Sequence, residues 1–127
     1  MMRVVPAPNI DIVIDSVDPE RLAEFWAEAL QYDKVGFFDP YFVLLARVPE
    51  HPPVALQRVT EAKSGKTRVH FDLRVDDVEA EAKRLEALGA RRIDIGAAPD
   101  AVWITMADPE GNEFCVCPGI PLPGAPM

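Results

Sequence analysis

The sequence predicts an α+β protein in which two βαβββ modules follow one another along the chain. Three observations lead to this prediction. Short segments alternate apolar and polar residues with the period of a half-buried strand, and two longer segments place apolar residues at helical spacing. A fixed shift of the sequence that places Asp11 on His70 also aligns the two predicted helix starts, Asp18 and Asp77. Such internal self-similarity is typical of a repeated structural unit.

The first module is predicted to cover about residues 9–60. Isoleucines alternate with polar residues in its first strand, residues 9–16. Asp18 suits the N-cap of the helix that follows, and the apolar stripe of this helix includes Phe25 and Trp26. Three more strands, separated by proline-containing loops, are predicted at residues 35–38, 41–48 and 54–60.

The second module is predicted at about residues 67–118. Its first strand spans residues 67–75 and carries His70, and a helix follows that ends before Gly89, a residue suited to a C-cap. Residues 119–127 are rich in proline and glycine and are predicted to form an extended tail of what is otherwise one domain. The three remaining strands of the module are predicted at residues 91–95, 101–107 and 112–117.

Two such modules are predicted to enclose a cavity. One helix covers only one face of a four-stranded sheet, and the other face needs a cover as well. Two sheets placed edge to edge would form a curled, half-open mixed sheet, a cup with the helices on the outside. The polar sides of the strands then line the cup, with Asp11, Gln57, His70 and Cys115 facing into it. Trp103 is interpreted either as a core residue or as a stacking wall of this pocket.

Charge and composition exclude several classes of function. The 127 residues are 49% hydrophobic and 27% charged, as in an ordinary globular protein, and carry a net charge of −8. That charge argues against binding to nucleic acid and to anionic membrane surfaces. No apolar run reaches the length of a membrane-spanning helix. Because Cys115 and Cys117 are expected to be free thiols, a cytoplasmic location is predicted.

Two segments resemble a known protein family. Residues 69–77 (VHFDLRVDD) and the turn at residues 108–114 (DPEGNEF) look like the glyoxalase-like members of the vicinal oxygen chelate superfamily, the glyoxalase / bleomycin resistance / extradiol dioxygenase proteins. The likeness extends over about residues 9–118. It implies the cup-shaped fold but no single activity, because the superfamily hosts isomerases, dioxygenases, lyases, thiol transferases and ligand-binding proteins.

The resemblance also implies where a metal would be held. Catalytic members bind one divalent ion with a ligand from the first and fourth strands of each module, and the matching positions here are Asp11, Gln57, His70 and Cys115. A thiol favours zinc or copper(I) over magnesium, manganese, nickel or iron, and the second carboxylate that usually also serves as the base is missing. We therefore predict no tightly bound metal and no other cofactor. His70 is then a neutral histidine hydrogen-bonded to Asp11 or Gln57, while a zinc site and a nucleophilic His70–Cys115 dyad stay open as alternatives.

Two functions are consistent with these observations. The first is metal-free binding of a small molecule in the cup, with pocket residues Asp11, Gln57, His70, Asp72, Trp103 and Cys115. The alternative is a divalent-metal-dependent lyase, isomerase or dioxygenase that uses His70, Asp11 and Gln57. A homodimer is expected because such folds often pair through exposed sheet edges, and no nucleic acid or membrane partner is expected.

Overall fold

The computed structural model of the chain describes residue 7, residues 9–98 and residues 101–119. The chain divides into two compact units, residues 1–60 and residues 61–127. Each unit contains one helix and four strands in the order βαβββ, so the predicted α+β class with two tandem modules is confirmed. The predicted tail beyond Gly119 lies outside the described residues.

Module one is a four-stranded mixed sheet with one helix. Its sheet has the order β1-β4-β3-β2, in which β1 is parallel to β4 and the other neighbours are antiparallel. The elements are β1 (Ile12–Ser16), α1 (Pro19–Leu30), β2 (Asp33–Phe38), β3 (Tyr41–Leu45) and β4 (Val54–Arg58).

Local sequence explains where α1 begins and which face it buries. The Asp18 carboxylate accepts a hydrogen bond from the backbone N–H of Arg21, which satisfies one of the donors left free at a helix start. The helix packs against β3 and β4 and buries Trp26, which is 1% exposed and meets Phe25 edge-to-face at 5.0 Å. This aromatic pair anchors the core of module one, as predicted.

Module two repeats the same plan. Its sheet has the order β5-β8-β7-β6, again with one parallel pair, β5 with β8. Asp77 is the N-cap of the helix and Gly89, with a φ of 117°, is its C-cap. The elements are β5 (Asp72–Val75), α2 (Val78–Leu88), β6 (Arg91–Ala98), β7 (Ala101–Ala107) and β8 (Glu113–Pro118).

The first strand of each module is shorter than the sequence predicts. The predicted strand at residues 67–75 is limited to Asp72–Val75, so the placement of His70 on a strand was wrong. The last backbone contact before β5 is the hydrogen bond from Cys115 N–H to the Phe71 carbonyl, at 3.1 Å. Alternation identifies an extended chain but not where it pairs with a neighbour, and the pairing with β8 begins only at Asp72, opposite Cys115. Asp11 likewise precedes β1.

A buried carboxylate organises the turn between β7 and β8. Asp108 is 3% exposed and accepts hydrogen bonds from the backbone N–H groups of Glu110 and Asn112, both at 2.9 Å. Gly111 adopts a φ of 90° within the turn, a left-handed conformation that favours glycine. The turn therefore fixes β7 beside β8, and with them the face that carries the candidate site.

The helices of the described segments do not include one that is long and apolar enough to cross a membrane.

Candidate functional site

Strand register places three functional side chains side by side in module two. Asp72 of β5 pairs with Cys115 of β8, and Cys115 pairs in turn with Thr105 of β7. Directly paired residues project from the same face of a sheet, and their neighbours along each strand project from the other. We call the face that carries Asp72, Trp103, Thr105, Cys115 and Cys117 the polar face.

The opposite face of the same sheet forms the module-two core. Its residues Ile104, Met106, Phe114 and Val116 are at most 3% exposed, and α2 packs against β8 and β7. The ring of Phe71 stacks on that of Phe114 with centroids 6.3 Å apart. Because apolar side chains fill this face, a ligand of module two would bind on the polar face.

His70, Asp72 and Cys115 form a compact cluster on the polar face. His70 Nε2 lies 3.4 Å from Asp72 Oδ1, and one nitrogen, one oxygen and one sulfur of the three residues all lie within 4.8 Å of one another. The side chains of His70 and Asp72 remain 52% and 44% exposed, whereas Cys115 is buried. The cluster thus combines a buried thiol with two groups that a ligand can reach.

Two further residues of the polar face, Thr105 and Cys117, lie next to the cluster. Thr105 Oγ1 lies 3.5 Å from Cys115 Sγ, within hydrogen-bonding distance for sulfur. Burial, together with a smaller contribution from the negative charge of Asp72, raises the pKa of the Cys117 thiol to about 11. Cys117 is therefore a neutral thiol near neutral pH.

Trp103 contributes an aromatic side chain to the polar face, on the strand next to β8. It pairs with Gly96 of β6, and a Cβ atom at Gly96 would lie only 2.0 Å from Trp103 Cε2. The indole therefore lies directly over the glycine, where any larger residue would displace it. The side chain is half-buried and shares the polar face, and its role as a core residue or as a pocket wall stays a prediction.

Module one carries the other two predicted pocket residues. Asp11 is exposed just before β1, and Gln57 is half-buried on β4, where it pairs with Asp15 and Tyr41. Their role in ligand binding stays a prediction.

The strand register revises the equivalence between the modules. Aligning the N-caps Asp18 and Asp77 places Asp15 on Arg74, and the β4 and β8 partners of these residues are Gln57 and Cys117. The counterpart of Cys115 is therefore Ala55, and Gln57 corresponds to Cys117. The resemblance treats Gln57 as the equivalent of Cys115. The loop before β4 differs in length between the modules, so the sequence alone does not give the register that makes Gln57 the equivalent of Cys117.

The cluster therefore has no equivalent in module one. Its three positions correspond there to Asp11, Val13 and Ala55, of which only the first offers a metal ligand. Sequence reasoning named Asp72 only as a pocket residue, although its spacing from His70 already placed both on one side of the chain. Sequence reasoning missed that Thr105, Gly96 and Cys117 lie next to Cys115, Trp103 and Asp72, because these neighbours are set by strand pairing.

The donor set can be compared with the needs of different metals. Magnesium and manganese prefer carboxylate, carbonyl and water oxygens, and a thiol is a poor ligand for them. Imidazole nitrogen, carboxylate oxygen and thiolate sulfur are instead the three ligand types of zinc sites. The cluster fits a zinc-type ion, held by His70, Asp72 and Cys115, and does not fit a hard, oxygen-ligated ion.

Comparisons with known proteins identify the fold. The sequence pattern of the glyoxalase-like domain family matches residues 11–117. None of the curated proteins compared by sequence matches the chain. A genomically encoded fosfomycin resistance protein from Listeria monocytogenes superposes with a TM-score of 0.72 at 12% identity, covering 91% of this chain and 96% of that one.

Two further solved structures give the same picture. A glyoxalase/bleomycin resistance protein/dioxygenase family enzyme from Burkholderia phytofirmans superposes with a TM-score of 0.70 at 13% identity, covering 86% of this chain and 96% of that one. For a lactoylglutathione lyase from Agrobacterium tumefaciens the TM-score is 0.65 at 17% identity, with 90% and 95% covered. At these identities the likeness concerns the fold and not the activity.

Proposed function

The chain belongs to the glyoxalase-like domain family of the vicinal oxygen chelate superfamily, and from that premise we propose that it binds a small molecule on the polar face of module two, without a tightly bound metal. The observation that carries this proposal is the cluster of His70, Asp72 and Cys115, on the same face of the sheet as the half-buried indole of Trp103. Small-molecule sites typically combine an aromatic or apolar wall with a few converging polar groups.

The arrangement favours a particular kind of ligand. Trp103 lies on β7 and Asp72 on β5, with β8 between them, so their backbones are at least about 10 Å apart across the sheet. A ligand with a flat apolar part would lie on the indole, and a hydrogen-bonding group at its end would reach His70 and Asp72. Asp72 accepts hydrogen bonds and would repel an anion, so alcohols and amides, which carry a donor and an acceptor, suit this position.

Metal independence is supported by the chemistry of module one. The superfamily arrangement takes ligands from both modules, but two of the three positions matching the cluster are Val13 and Ala55. This leaves too few oxygen ligands for a hard divalent ion. A divalent-metal-dependent lyase, isomerase or dioxygenase, the alternative function, would need such an ion and is therefore less well supported. Homodimer formation and a cytoplasmic location stay predictions.

Tryptophan fluorescence in a metal chelator tests the proposal. The protein has two tryptophans, and because Trp26 is 1% exposed, its emission should hardly respond to ligand. Titration with flat aromatic fragments that carry one hydrogen-bonding group should change the emission of Trp103. His70→Ala should weaken binding of the same fragments roughly 5- to 50-fold, because one or two hydrogen bonds are lost.

The chain supplies a matched control for His70. The second histidine, His51, lies exposed in the loop before β4, and His51→Ala should leave fragment affinity unchanged. Gly96→Ala should also weaken binding, since the added Cβ displaces the Trp103 indole. Equal affinity in the His70→Ala variant, or binding that appears only when magnesium or manganese is added, would overturn the proposal.

A further inference from the structure

Two apolar side chains at one end of the module-two core lie open to solvent. Ile95 on β6 and Val102 on β7 are 63% and 53% exposed, although Ile104 on the same face is only 3% exposed. Ile95 pairs directly with Ile104, and Val102 precedes Ile104 by two residues, so the two exposed side chains are diagonal neighbours on adjacent strands. We call Ile95 and Val102 the hairpin patch.

The hairpin patch exists because α2 is too short to cover it. The 11 residues of α2 form a helix about 17 Å long, whereas the 8 residues of β6 extend over about 26 Å. In module one the helix has 12 residues, and β2, the longer strand of the corresponding hairpin, has only 6. Module two therefore carries an apolar surface, at the end of the β6–β7 hairpin, that its own helix leaves uncovered.

The chain leaves the sheet beside this patch. Ile104 of β7 pairs with Val116 of β8, which brings Val102 next to Pro118 at the end of β8. The sequence continues beyond the described part of the chain with residues 120–127, which reach about 26–29 Å when extended. The two strands that carry the hairpin patch lie about 5 and 10 Å from β8, so this segment is long enough to cover both side chains.

The composition of the segment suits contact with an apolar surface. Residues 120–127 (IPLPGAPM) contain no charged side chain and include the large apolar residues Ile120 and Leu122. Because each of these two residues precedes a proline, its backbone is restricted to extended conformations, which reduces the entropy lost on ordering. The prolines have no N–H group, so docking leaves few backbone donors to be satisfied.

We propose that residues 120–127 fold back over the hairpin patch, with Ile120 and Leu122 packed on its two side chains. The segment then gives module two a second apolar cover beside α2. Because Trp103 follows Val102 along β7 and projects from the other face, the same contact restrains the hairpin that carries the indole. The inference does not depend on ligand binding.

Methyl nuclear magnetic resonance of the full chain tests the contact. With the isoleucine, leucine and valine methyl groups labelled, Ile120 and Leu122 should show nuclear Overhauser effects to the hairpin patch. A variant that ends at Gly119 should lose these effects and shift the methyl signals of the patch. The amide protons of β6 and β7 should exchange about 5- to 30-fold faster in this variant, because the hairpin loses part of its cover.

Single substitutions provide the matched controls. Leu122→Ser should reproduce the methyl shifts of the shortened variant, since a hydroxyl group gains nothing from contact with an apolar surface. Met127→Ser changes another apolar residue of the same segment, one that is not placed on the patch, and it should keep the wild-type shifts. Val69, which is 82% exposed ahead of β5, should give the same methyl signals in every variant.

Three results would overturn the inference. One is a full chain that shows no effects between the hairpin patch and either Ile120 or Leu122. Another is a set of patch signals that stay unchanged in the shortened variant, which would mean that the patch is open to solvent. The third is a set of patch signals that move with protein concentration in the full and the shortened chain alike, which would assign this surface to a second copy of the chain.

Discussion

Trp26→Ala is expected to lower the free energy of unfolding by about 3–5 kcal/mol, the largest loss expected from any single change in module one. The indole is 1% exposed and packs edge-to-face against Phe25, so its removal leaves a cavity that the rigid sheet cannot fill by collapse. Equilibrium unfolding in urea, followed by far-ultraviolet circular dichroism, measures the effect.

Phe38→Ala is the control for Trp26→Ala. Phe38 is also aromatic and lies in module one, but it is 59% exposed at the end of β2. Its removal should cost less than about 1 kcal/mol, because little apolar surface returns to water. Similar losses for the two variants would contradict the assignment of Trp26 to the core.

Asp108→Ala is expected to destabilise the protein by about 2–4 kcal/mol. The buried carboxylate accepts hydrogen bonds from the backbone N–H groups of Glu110 and Asn112, and from the Asn112 side chain at 2.9 Å. Alanine would leave these donors without the carboxylate acceptor in a half-buried turn, which costs more than the loss of an exposed hydrogen bond. Urea unfolding again provides the measurement.

Two further variants test whether the buried carboxylate of Asp108 stabilises the turn. Asp108→Asn keeps one carbonyl oxygen to accept the two backbone hydrogen bonds, so its loss should be intermediate. Asp94 is an exposed carboxylate that accepts a single hydrogen bond from the Ile95 N–H, and Asp94→Ala should cost less than about 1 kcal/mol. If Asp108→Ala were no more destabilising than Asp94→Ala, the turn would not depend on the buried carboxylate.

The fold could be predicted from sequence because each local signal agreed with the others. Asp18 and Asp77 cap the helices where the sequence placed the starts, and Gly89 ends α2 as expected. Burial in β1 follows the predicted alternation, with Ile14 buried and Asp15 exposed. These features depend on residues near each other in the chain, which sequence patterns describe well.

The site was only partly predictable because it depends on the pairing of distant strands. The proximity of Asp72, Thr105 and Cys115 results from the register of β5, β8 and β7, and no local pattern specifies that register. The same cause explains why Gln57 corresponds to Cys117 and not to Cys115. His70 and Asp72 could be paired from sequence, since two residues on the same side of an extended chain are neighbours.

Histidine ring signals provide the most direct test of ligand binding on the polar face. The protein has two histidines, so uniform nitrogen-15 labelling gives one pair of histidine ring signals from the predicted site and one from the loop before β4, together with the backbone amide signals. In the presence of a chelator, a fragment that binds should shift the ring signals of His70 and the amide signals of Asp72, Thr105 and Cys115, while His51 stays unchanged. Fragments that bind without moving the His70 signals, or that move them only after a hard divalent ion is added, would contradict binding on the polar face without a metal.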